Sequence, residues 1–72
     1  MTLMTPTTLV KTRDGAQYEF TADKLHVRDA SEKTWSELVA PASIELGFSM
    51  FQVLEGGGAF YTSNVTDILD LT

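Results

Sequence analysis

The chain has 72 residues, 43% of them hydrophobic, with ten Asp and Glu against five Lys and Arg, one His, no Cys and a formal net charge of −5. That length makes one small domain with a modest core, and the lack of Cys excludes disulfides, thiolate chemistry and Cys-based zinc sites. The acidic balance argues against a nucleic-acid partner, because phosphate contacts need cations.

Residues 1–8 are rich in Thr and Met and carry Pro6, and they read as an extended N-terminal arm. Residues 9–72 read as a single small β-rich domain. Met1–Pro6 lack the charged and apolar regions of a signal peptide. No apolar run approaches the ~20 residues that a membrane span needs. A cytoplasmic protein with no membrane partner is the expectation.

Leu9–Arg13 and Ala16–Phe20 flank Asp14-Gly15. Asp-Gly between β-type runs signals a hairpin, because a type I′ turn needs positive φ at both central residues. Tyr18 and Phe20 share one face and Gln17 and Glu19 the other. After the polar turn Thr21–Lys24, Leu25-His-Val-Arg28 alternates like a half-buried strand, sending Leu25 and Val27 to the core and His26 and Arg28 outward.

The period then changes. Trp35, Leu38 and Val39 fall at i, i+3 and i+4, which places them on one face of a short helix within Asp29–Ala40, capped by Ser31 or Asp29 and ended by Pro41. On that face Trp35 reads as a core plug, with an interface anchor as the alternative. A strand over Thr34–Val39 is the competing local structure.

Ala42–Phe48 alternates again and runs into Phe48-Ser-Met-Phe-Gln-Val-Leu54, either as one long strand bent at Gly47 or as two strands that meet there. In this last stretch Met50 and Leu54 make one face apolar, while Phe51 and Val53 make the other apolar too. The loop Glu55-Gly-Gly-Gly-Ala59 and the return Phe60-Tyr-Thr62 complete a second hairpin. Val65–Leu71 reads as a last strand, or a helical turn leading into one; as a strand it puts Ile68 and Leu69 on opposite faces. The predicted order is β-β-β-α-β-β-(β), mainly β with one short helix (α+β). Short antiparallel strands with a Gly kink imply a small, strongly bent sheet or a partly open barrel. Gly58-Ala-Phe60 followed by Ser63-Asn64-Val65 is similar to the closing segment of SH3 domains. The resemblance covers fewer than ten residues, implies an SH3-like barrel shape and carries over no ligand site. The family's Pro before Ser-Asn, its paired Trp and its acidic loop are missing here.

Chemistry-bearing constellations are few. Gly56-Gly57-Gly58 lacks the Lys and following helix of a phosphate loop, and Glu55 would repel an anion. It reads as a loop that needs unusual φ, flanked by aromatics that offer a contact surface. His26 has no mate at catalytic spacing, although Asp29 or Glu19 could lie near it in space. Asp67 and Asp70 share a face only on a helix, and two carboxylates fall short of an ordinary cation site. Asn64-Val-Thr66 matches a glycosylation sequon, but Asn64 reads as a turn residue that tolerates positive φ. No nucleophile–base pair or metal set is present, so neither enzyme activity nor a cofactor is expected.

The two-faced arm is the informative feature. A strand in a small domain normally keeps one face wet. Phe51 and Val53 therefore need a cover: the helix around Trp35, a second copy of the chain or a different protein. The expectation is a non-enzymatic protein-interaction module that binds a protein partner or forms a homodimer. Phe51, Val53, Gly56, Gly57, Gly58 and Tyr61 are its candidate contacts, with Asp67 and Asp70 as carboxylates offered to a basic groove. Size, acidity and the lack of motif fit a small regulatory protein encoded by a phage or mobile element. The alternatives are a small barrel stacking single-stranded nucleic acid on Phe51, Phe60 and Tyr61, and a small-molecule-binding domain.

Overall fold

The computed structural model describes residues 4–72; Met1–Leu3, the start of the expected arm, lie outside the described residues. Seven strands are described: β1 (Thr8–Thr12), β2 (Gln17–Phe20), β3 (His26–Asp29), β4 (Ser36–Glu37), β5 (Phe51–Val53), β6 (Ala59–Tyr61) and β7 (Val65–Asp70). Five form one antiparallel sheet in the order β4-β3-β2-β1-β7, and β5 and β6 form a separate hairpin. Pairing reaches back to Thr7, whose N–H donates to Phe20 O and whose O accepts from Leu71 N–H, both at 2.9 Å.

The first hairpin forms at Asp14-Gly15, with a different turn from the one expected. Gly15 N–H donates to Thr12 O and Thr12 N–H to Ala16 O, both at 3.0 Å. Of the loop residues only Gly15 has positive φ, at 90°. This is the three-residue loop that ends in a glycine bulge. Asp14 keeps a negative φ and braces the loop instead, its carboxylate accepting from Thr12 Oγ1 and from Ala16 N–H.

Among the described residues there is no helix, so the one expected within 29–40 is corrected to extended chain. So short a helix is marginal alone, and the open edge of β3 offers backbone partners instead. Leu38 N–H donates to Leu25 O at 2.8 Å, and Glu37 pairs opposite His26. Leu38 is buried while Val39 is exposed, the alternation of a strand. Trp35 leaves the core altogether. It lies half-buried against Arg28, whose guanidinium carbon is 4.4 Å from the ring centroid. Leu25, expected in the core, sits just before β3 and is half-buried.

The sheet is not closed into a barrel. The hairpin lies over its inner face and meets its edges through a few backbone bonds only. On one side Leu38 bridges Leu54. On the other, Gly47 N–H donates to Val65 O at 2.8 Å and Val65 N–H to Phe48 O at 2.9 Å. Residues 42–48, expected as strand, run irregularly and bend at Gly47, whose φ is 86°. The core lies between sheet and hairpin: Val10, Phe20, Val27, Leu38, Met50 and Val65 are buried. Phe60 of β6 packs down onto it, edge-on to Tyr18 at 5.0 Å and to Phe20 at 6.3 Å.

Candidate functional site

The hairpin is a layer with two different sides. Phe51 pairs with Tyr61, Gln52 with Phe60 and Val53 with Ala59. Strand alternation therefore sends Phe60 inward with Leu54 and Met50, and Phe51, Val53 and Tyr61 outward. The inward group is buried or half-buried against the sheet. The outward group is bare: Phe51 is 59% exposed, Val53 50% and Tyr61 67%. The rings of Phe51 and Tyr61 meet edge to face at 4.9 Å.

The strip extends onto the neighbouring segment. Leu38 bridges Leu54, and Val39 N–H donates to Val53 O at 2.9 Å. That register puts exposed Val39 beside Val53 on the outward face. At the other end, exposed Phe48 and Phe51 line a shallow depression with Ser43, Glu45, Met50 and Gln52. Its volume is about 270 Å³, below the range usual for small-molecule pockets but enough for one long side chain. The Trp35 segment, one of the three expected covers, does not lie over Phe51 and Val53, because it packs on Arg28.

The Gly loop caps this hairpin. Gly56, Gly57 and Gly58 have φ of 83°, 102° and 94° in succession. Gly57 N–H donates to Leu54 O at 3.2 Å and Leu54 N–H to Gly58 O at 3.1 Å. A Cβ at Gly56 or Gly57 would meet nothing within 4 Å, so conformation and not space requires glycine there. The loop is exposed beside the outward face.

Asp67 and Asp70 do not join this surface. β7 is a strand, so a separation of three residues puts them on opposite faces: Asp67 opposite Lys11, Asp70 opposite Thr8. Asp70 accepts from Thr72 N–H at 2.9 Å and from its hydroxyl at 2.7 Å, which lowers its pKa. Ile68 and Leu69 likewise point to opposite faces, opposite Val10 and Leu9, and each is about 40% exposed. His26 finds neither Asp29 nor Glu19 as its neighbour; Glu37 lies 3.8 Å from its Nε2. Glu19 instead accepts from Arg28 Nε at 2.8 Å. Asn64 keeps a negative φ, and its Nδ2 donates to Gly47 O at 2.9 Å. No group of three metal-ligating side chains exists among the described residues. No described helix is long and apolar enough to cross a membrane.

Two contributors escaped the sequence reading. Helical spacing puts Val39 on a face with Trp35 and Leu38, and strict alternation puts Phe48 on the face of Met50 and Leu54, whereas both are exposed. The adjacent pair Leu38-Val39 carried the signal, since a strand would have to expose one of them. Compared with known protein families, curated proteins and solved structures, the chain matches none.

Proposed function

We propose that the protein is a non-enzymatic interaction module whose contact surface is the outward face of the β5–β6 hairpin. One observation carries this: Phe51, Val53 and Tyr61 form a contiguous, half-exposed to mostly exposed apolar and aromatic strip on a hairpin that its own inward face already anchors. Aromatic side chains held on a strand scaffold lose little freedom on contact and dominate interface energetics. Exposed apolar strips of this kind are interaction sites in soluble proteins. The Gly56–Gly58 loop extends the contact at the hairpin tip, and the role is that of a small accessory or regulatory protein.

Site-specific photocrosslinking in the producing cell tests the proposal. A photoreactive phenylalanine at position 51 or 61 should give a discrete protein adduct. The same group at Gln17, on the far side of the main sheet, should not. Equal adducts from all three positions, or none from 51 and 61, would rule the surface out.

A further inference from the structure

The charge of this protein is distributed unevenly. Residues 1–33 contain five carboxylates and all five Lys and Arg. Residues 34–72, which include the whole hairpin, contain Glu37, Glu45, Glu55, Asp67 and Asp70 and no Lys or Arg. The entire formal charge of −5 therefore belongs to the half that carries the apolar strip.

Three of these carboxylates frame the strip. The Leu38–Leu54 bridge sets Glu37 directly opposite Glu55, and Glu55 N–H donates to Glu37 O at 2.9 Å. Both lie on the outward face, since Leu38 and Leu54 between them point in. The two carboxylates therefore lie on neighbouring segments at one edge of the strip. Among the described residues neither pairs with a Lys or Arg, and His26 lies 3.8 Å from Glu37. At the other end, Glu45 shares the depression with Phe48 and Phe51. A carboxylate in one depression with exposed aromatic rings suits a Lys ammonium or, better, an Arg guanidinium, which can stack on a ring while pairing with the carboxylate.

Resting on the interaction reading above, we infer that the occupant of this face is a basic segment of a different protein, with Arg or Lys interleaved with apolar residues. A second copy fits poorly. Two hairpin faces brought together would bury the two strips but set Glu37, Glu45 and Glu55 of each copy near those of the other, and no Lys or Arg of residues 34–72 could offset them. A cationic partner instead pairs with Glu37 and Glu55 and fills the Glu45 depression with one side chain.

The test uses two 12-residue peptides on the full chain, one alternating Arg and Leu and one alternating Glu and Leu, followed by fluorescence anisotropy at low and physiological salt. The Arg peptide should bind, more weakly as salt rises, and the Glu peptide should not. Phe51→Ala should abolish binding. Glu45→Gln and Glu55→Gln should each weaken it by about two- to fivefold. Both variants should keep the melting temperature of the free protein, which separates a lost pairing from general damage to the fold. Equal binding of both peptides through Phe51 would overturn the basic partner while leaving the interaction face standing. So would a Phe51-dependent dimer by light scattering. Binding that ignores Phe51, or no binding of either peptide, would overturn both.

Discussion

The rings of Phe51 and Tyr61 stand edge to face at 4.9 Å across the β5–β6 pair, with more than half of each side chain in water. On the reverse of the same two strands, Phe60 packs edge-on against Tyr18 and Phe20. One hairpin thus packs one apolar face against the sheet and leaves the other in water. The two faces should respond differently to truncation. Phe20→Ala should cost about 3–5 kcal/mol, enough to unfold much of a domain this small. Phe51→Ala should cost no more than about 1 kcal/mol, since it loses an exposed edge-to-face pair. Urea denaturation followed by circular dichroism measures both. Equal losses would mean that the outward strip is part of the fold.

Backbone conformation gives a second prediction. Lys24 is the one described non-glycine residue with positive φ, at 60°. It holds the turn closed by its N–H to Thr21 O at 2.9 Å, while its O accepts from Ala42 N–H at 2.9 Å. An L-residue there bears about 1 kcal/mol of steric cost. Lys24→Gly should therefore leave stability unchanged or raise it by up to about 1 kcal/mol, and Lys24→Asn should behave similarly. Gly57→Ala should lower it by about 1 kcal/mol despite open space around the Cβ. Thermal melts of the three variants decide the matter, and a stabilising Gly57→Ala would contradict the loop conformation.

Trp35 supplies a third. Its ring faces the Arg28 guanidinium, and Arg28 Nε donates to Glu19. Arg28→Ala should cost about 1–2 kcal/mol by removing a stacked cation and a half-buried ion pair together. It should also shift Trp35 fluorescence to the red, because the ring loses its cover. Arg28→Lys keeps the charge without the planar stack and should recover only part of both effects. An unchanged emission in Arg28→Ala would place the indole elsewhere.

The pH dependence follows from hydrogen bonds made by exposed carboxylates. The hydroxyl of Thr12, with Ser63 and Ala16, holds Asp14 below the ordinary value of 3.8. Thr21 and the Leu25 N–H do so for Asp23, Ser31 for Asp29, and Thr72 for Asp70. A carboxyl depressed in the folded state leaves the unfolded chain holding more protons near that pH, so stability rises with pH there. These contributions are complete above the unfolded value and are lost as pH falls through the folded ones. Tyr18 moves the other way: burial, then the charges of Asp14 and Asp29, raise it above 10.0. Its contribution is complete below 10.0 and is lost as pH rises through the folded value. The melting temperature should be flat between these limits and fall on both sides. Asp23→Asn should reduce the acid slope, and Tyr18→Phe the alkaline one.

Much of the fold was present in local patterns. Asp14-Gly15 placed the first hairpin, the alternation of Tyr18, Phe20 and Val27 placed one side of the core, and Gly56–Gly58 placed the second loop. Each depends on residues a few positions apart, and alternation or a glycine requirement survives whatever packs nearby. The stretch around Trp35 misled because three apolar residues at helical spacing are too few to fix a period. The choice was made by the β3 edge, which is distant in the chain and whose free backbone groups the segment satisfies.

For the surface, the sequence established that residues 48–54 are apolar on two faces, and that Asp67 and Asp70 would share a face only in a helix. It did not determine whether Phe51 and Val53 are covered within the chain, since burial of a second apolar face depends on what lies opposite. Tertiary structure decided that Phe60 meets Tyr18 and Phe20, which turns Phe51, Val53 and Tyr61 to water. It also set Glu37 across from Glu55 and separated Asp67 from Asp70. Those outcomes rest on contacts between segments distant in the chain, and local composition does not encode them.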